Sequence, residues 1–187
     1  IVDAKRTAIG SMLGTLKNEA PGLLGAAVVK NILETNKVDP TKVDELISGN
    51  ILMAGQKQGI ARQVAIHSGI PHTVPAYGVN MICGSGMKAV MNAYLDIKAD
   101  FANLVIAGGT EVMSNTPFLV PSSARQGFKM GNMNVIDHMV NDSLTDAFSG
   151  VHMGVTAENI AAKYSITREE QDEFAIASQQ KAIASVD

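Results

Sequence analysis

Over the first 113 residues, short runs rich in β-branched and aliphatic side chains alternate with longer stretches of helical spacing. That is how a parallel α/β layer reads in sequence. Four runs are predicted strands: Ile1 to Ala4, Glu45 to Leu52, Pro75 to Ile82 and Leu104 to Ala107. A first helix opens near Pro21, whose fixed φ suits a first helical turn, and closes before Asp39-Pro40. A second spans about Gly59 to Ser68. A third begins after Cys83, ends near Asp100, and places Met87, Val90, Met91, Tyr94 and Leu95 on one face, the spacing expected of a helix packed on a sheet.

The pattern changes at Ser114. From there to Val151 the chain is rich in Asn, Ser, Pro, Gly and Met and has little period of either kind, so it reads as a long, irregular excursion from the layer. Loops of such length usually carry function or assembly contacts. Helical pattern returns with Thr156 as an N-cap, and again at Thr167, where Glu170 completes a capping box. The expected division is therefore an α/β region over 1–113 and a subdomain over 114–187, irregular first and then helical.

Composition narrows the class without naming it. The chain of 187 residues is 46% hydrophobic and 18% charged, enough for a sizeable core without staples. Its formal charge of -3 gives no reason to expect a nucleic acid partner. No apolar run approaches the roughly 18 residues that a membrane span needs. A single Cys forms no internal disulfide and no Cys-rich zinc site, and no secretory signal is visible, so a reducing cytosol is the expected compartment.

That cysteine, Cys83, lies in "VNMICGSGMKAV", where a strand pattern gives way to two glycines and a helix. A thiol there would sit at the positive end of the helix dipole, which favours thiolate. Gly84 and Gly86 would let the backbone turn tightly and let a substrate approach the first-turn N–H groups, donors for an oxyanion. Against this stands core filling, since Cys is among the most buried residue types. The residues around it leave both readings open.

Other candidates are weaker. Gly84, Gly86 and Ala89 fit G-x-G-x-x-A after a strand, the dinucleotide-binding fingerprint, but the acidic residue expected at the end of the next strand arrives late, as Glu111. His67, His72, His138 and His152 read as surface or loop residues without metal-ligand spacing. His152 differs in preceding Met153, Gly154 and a helix start. Met130, Met133, Met139 and Met153 suit a packed subdomain or an oligomer contact, and less well a flexible acyl or pantetheine lining. The charged run from Arg168 to Glu173 reads as a solvated helix face, and Arg6 and Arg62 as single charges.

Taken together, "NMICGSGMKAV", "VIAGGTEVMS" and "LTDAFSGVHMGVTAENIA", with "RTAIGS" before them and "ITREEQDEFAIASQQKA" after, resemble the thiolase family, acetyl-CoA acetyltransferase type, in the family's order. The resemblance implies a layered α/β half, a mixed sheet with flanking helices, plus an inserted, mostly helical loop subdomain. It implies that Cys83 accepts an acyl group from acetyl-CoA or another acyl-CoA as a thioester, with its backbone N–H in an oxyanion hole. It places Leu144, His152 and Met153 along the pantetheine or acyl channel, and about 117–139 in a loop between subunits of a homo-oligomer, dimer or tetramer. Coenzyme A thioesters enter as substrate, so no separate cofactor, metal, nucleic acid or membrane is expected.

Two departures qualify the resemblance. The family's "GQNPARQ" stands here as "KQGIARQ" from Lys57 to Gln63. The Gly-His-Pro motif and the second Cys, in Cys-x-Gly-x-Gly, are not in these 187 residues. The expectation is therefore an N-terminal portion of a thiolase, inactive alone and exposing an apolar face. A dinucleotide-binding module, or a non-catalytic relative that binds acyl-CoA or serves as a scaffold, is the alternative.

Overall fold

In the computed structural model, which describes residues 1–185, strand β1 (Glu45–Gly49) lies between β2 (Ala76–Val79) and β3 (Val105–Gly109). All three run parallel. Leu46 stands opposite Ala76 and Ile106, and Ile47 opposite Tyr77 and Ala107. Helices α1 (Pro21–Thr35), α2 (Ile60–His67) and α3 (Ser85–Lys98) surround the sheet, each near its predicted place. A separate two-stranded antiparallel ribbon, β4 (Phe118–Leu119) with β5 (Ile136–Asp137), lies inside the irregular excursion. The chain divides into two compact units, Ile1–Ser143 and the part from Leu144 onward, so the excursion up to Ser143 belongs with the sheet.

Alternation along β1 sorts the core onto two faces. Leu46 joins Val29 and Leu33 of α1, Ile60, Ala61, Val64 and Ala65 of α2, and Val43, Ile70 and Val74 from the connections. Ile47 points the other way and meets only Ala89 and Ala93 of α3, with Val79, Val105 and Ala107 of the sheet half-buried around them. Here the expectation for α3 is corrected. Its large apolar residues do not pack on the sheet: Met87 is 64% and Tyr94 60% exposed, and Val90, Met91 and Leu95 are exposed as well. Ser85, Ala89 and Ala93 form the inner face, because small side chains let the helix lie close to the strands.

The first expected strand is also corrected. Residues 1–10 form no regular element, and Ile1, Val2 and Ile9 are exposed; β-branched residues alone do not make a strand without a neighbour to pair with. Beyond Ser143 lie α4 (Met153–Tyr164) and α5 (Arg168–Ala184). Thr167 caps α5 with both arms of the predicted capping box, since its Oγ1 accepts from Glu170 N and Glu170 Oε2 accepts from Thr167 N. Helix α4 starts earlier than predicted. His152, not Thr156, is its N-cap, accepting the Gly154 N–H on Nδ1 at 3.0 Å, while Thr156 sits inside the helix and donates to Met153 O. No helix among the described residues is long and apolar enough to cross a membrane.

Candidate active site

Cys83 lies between the end of β2 and the first turn of α3, beyond the carboxyl ends of the strands, where open α/β sheets bind ligands. Its thiol is exposed. Core filling therefore does not describe it.

Side chains hold the turn that carries Cys83. Ile82 adopts φ 48°, a left-handed conformation that is an outlier for a β-branched residue. Asn80 holds it from one side by accepting the Ile82 N–H on Oδ1 at 3.1 Å. Ser85 holds it from the other: its Oγ donates to Ile82 O at 2.6 Å and accepts from Met81 N at 2.9 Å. Backbone bonds from Gly84 N to Met81 O and from Ser85 N to Ile82 O close the elbow. Strained backbone of this kind persists where its surroundings over-determine it, and it gathers at functional sites. Neither Gly84 nor Gly86 has a positive φ, so the left-handed residue of the turn is Ile82, while Gly84 serves the tight turn by its size, since a Cβ there would stand 2.6 Å from Met81 Cε and 3.3 Å from Met81 O. Gly86 has open space where a Cβ would stand, so its value is access to the helix's first turn.

Below the elbow sits a glycine whose role is steric. A Cβ on Gly49, the last residue of β1, would stand 2.7 Å from Gly86 N and from Ser85 C. Only glycine lets β1 pass directly under the first turn of α3. The chain then turns at Asn50, which is buried and donates through Nδ2 to Thr110 O and to Glu111 Oε1 at 2.9 Å. Glu111 also accepts the N–H of Ile51 at 2.8 Å and of Leu52 at 3.2 Å. Both of its carboxylate oxygens are engaged. Glu111 therefore does not stand free to take the hydroxyls of a ribose, as the dinucleotide reading of Gly84, Gly86 and Ala89 requires.

Asn80, Ser85, Gly49, Asn50 and Glu111 are absent from the sequence-based reasoning about the thiol. A signal was present for two of them, since Asn favours side-chain-to-backbone turns and a Ser at a helix start offers the same service.

Leu144, His152 and Met153 belong to the second unit, where Thr145 bridges to His152 across a turn. Asp146 ties that turn by accepting the N–H groups of Phe148 and Ser149 and the Ser149 hydroxyl, bonds that hold its carboxyl below the usual range. The His152 ring is directed by its cap bond, in which Nδ1 accepts from Gly154, and the residue is exposed. His138 is corrected: it is buried, with Nδ1 2.6 Å from Asp142 Oδ2 and Nε2 accepting the Ala54 N–H at 3.4 Å. It anchors the excursion to the turn after β1. Met130 and Met133 are exposed and do not line a packed subdomain. In "KQGIARQ", Gln63 closes the loop by donating from Nε2 to Gln56 O and Gln58 O.

Fold and elbow together define a class: an α/β layer that offers an exposed thiol on a strained turn between strand and helix. Residues 1–187 match the model of "Thiolase, N-terminal domain", and the chain belongs to the thiolase family. It is 53% identical over 184 residues to a protein of Chromobacterium violaceum named acetyl-CoA acetyltransferase, covering 98% of this chain and 47% of that protein. It is 49% identical over 187 residues to the acetyl-CoA acetyltransferase of Pseudomonas aeruginosa, all of this chain and 47% of that one. A probable acetyl-CoA acyltransferase of Staphylococcus epidermidis is 50% identical over 182 residues, 97% of this chain and 46% of that protein. The chain thus spans about half the length of the curated relatives it matches.

Proposed function

We propose that the whole protein transfers acyl groups between coenzyme A thioesters, as an acetyl-CoA C-acetyltransferase, with Cys83 as the nucleophile. The observation that carries this reading is the exposed thiol on an elbow fixed from both sides by Asn80 and Ser85. The Cys83 thiolate attacks the thioester carbonyl, the bond from that carbon to the coenzyme A sulfur breaks, and coenzyme A leaves as a thiolate that takes up a proton. The acyl group then rests on Cys83. Attack by the α-carbanion of a second acyl-CoA forms the carbon–carbon bond and returns the Cys83 thiolate. Thiolysis is the same sequence reversed. The groups that take the proton from the thiol and form the carbanion lie outside these 187 residues, so this chain alone is expected not to turn over.

Leu144, His152 and Met153 would line the pantetheine or acyl channel, and the exposed apolar residues of the excursion suit contacts between copies in a homo-oligomer. The reaction needs no metal or further cofactor, and we place it in the cytoplasm.

In the full-length protein, Cys83→Ala should abolish the acyl adduct that intact-mass spectrometry detects after addition of acetyl-CoA. An undiminished adduct on the variant would overturn the assignment.

A further inference from the structure

We propose that Glu111, acting through Asn50, is a positioning residue for Cys83, an inference that rests on the acyl-transfer reading above. Glu111 touches nothing on the elbow itself. It acts on the segment beneath it: its carboxylate collects the N–H groups of Ile51 and Leu52 and the amide of Asn50, the three residues that follow Gly49. Gly49 and Asn50 then reach the two flanks of the elbow. On the helix side, Gly49 is in backbone contact with Ser85 and Gly86, so any shift of the β1 end is felt in the first turn of α3. On the strand side, the Asn50 N–H donates to Val79 O at 3.1 Å, and Val79 leads through Asn80 into Ile82 and Cys83. Thr110 N completes the tie by donating to Gly49 O. One carboxylate after β3 thus fixes the end of β1, which fixes both flanks of an elbow whose Ile82 is already strained.

A plain structural role is the competing explanation, and the molecule contains its own control. Asp44, just before β1 and so at the opposite end of the same strands, makes a similar clasp by accepting the N–H groups of Asn103 and Leu104 at 2.7 and 3.0 Å. Asp44 ties the same pair of strands, far along β1 from Gly49.

The test uses the full-length protein with Glu111→Gln, Glu111→Asp and Asp44→Asn. Two readouts are taken: steady-state acyl transfer with acetyl-CoA, and the rate of iodoacetamide alkylation at Cys83, resolved by peptide mass spectrometry. Glu111→Gln is expected to lower kcat by ~10- to 100-fold with KM within about threefold, the scale of a small misplacement of the reacting group. It should also change the Cys83 alkylation rate. Glu111→Asp, which keeps the charge, should recover part of kcat and serves if the Gln variant fails to fold. Asp44→Asn should lower the melting temperature while leaving kcat and alkylation at the parent values. Equal loss of kcat in Glu111→Gln and Asp44→Asn, or parent-like kcat and alkylation in both Glu111 variants, would overturn the proposal. If the parent forms no acyl adduct, acyl transfer falls instead, and the positional claim is still judged by the alkylation rates.

Discussion

The two faces of the central sheet are built from the same three strands and finished in opposite ways. Toward α1 and α2, β1 presents Leu46 to a closed layer of Val, Leu and Ile side chains. Toward α3 it presents Ile47 to two alanines, while the helix turns Met87, Val90, Met91, Tyr94 and Leu95 outward. A surface helix normally buries its large apolar stripe and shows water its polar side. Helix α3 has a small stripe inside and a large one outside, so it is apolar on two sides. The difference teaches that one face of this layer is finished within the chain and the other is not. Contiguous exposed apolar residues of this kind mark an interaction surface.

The largest effect should come from the closed face. Leu46 is 1% exposed at its centre, and Leu46→Ala removes side-chain volume that its tightly packed neighbours cannot refill. A loss of about 3 kcal/mol in unfolding free energy is expected, measured by urea denaturation of the 187-residue chain. Leu95→Ala on the outward face of α3 should change stability by no more than about 0.5 kcal/mol. Equal losses at the two positions would erase the contrast between the faces.

Next in size is the behaviour of the open face in solution. The 187-residue chain by itself should self-associate at micromolar concentration through the outward stripe of α3. The double substitution Met91→Glu and Leu95→Lys replaces two apolar residues that are 48% and 54% exposed, and it should return sedimentation to that of a monomer. A parent chain that is monomeric at high concentration would show that this face needs no cover.

This contrast also explains what the sequence disclosed. Periodicity located α1, α2, α3 and the three strands of the sheet, because each repeats a simple spacing over several residues. It could not assign the inner side of α3. Both sides carry apolar residues, and the stripe of Met, Val, Tyr and Leu outweighs that of Ser85, Ala89 and Ala93 in any hydropathy pattern, while packing distance, not hydropathy, decides which side meets the sheet. Ile1 to Ala4 failed as a strand for a related reason: pairing is a property of neighbours, which a local run does not contain. At the site, motif and composition singled out Cys83, since a lone thiol before glycines is a local signal. The clasp of Glu111 on residues 50–52 spans about sixty positions of sequence and had no local trace. His138 was misread partly for the same reason, since its Ala54 partner lies far away in the chain, although Asp142, which its Nδ1 meets, is four residues on.

The smallest effect lies at the base of the open face, where two adjacent carboxylates respond to pH in opposite senses. The backbone N–H groups of Asn103 and Leu104 hold Asp44 below the usual carboxylate range. Burial, reinforced by the Asp96 carboxylate of α3, pushes Glu45 above it. A depressed Asp44 contributes stability that is present above its unfolded value, near 3.9, and is lost as the pH falls through its folded value. A raised Glu45 works the other way: its contribution is complete below its unfolded value, near 4.3, and is lost as the pH rises through its folded value. Glu45→Gln removes the neutral-pH penalty, so the variant should match the parent at pH 4 and exceed it at pH 7, by on the order of 0.5 kcal/mol for a partly screened pair. Asp44→Asn should instead be less stable than the parent at pH 7 and converge with it in acid. Urea titrations of the three proteins at the two pH values read both slopes, and a Glu45→Gln chain that is no more stable than the parent at pH 7 would show that neither burial nor the Asp96 carboxylate burdens Glu45. The open face would then be looser at its base than its packed alanines imply.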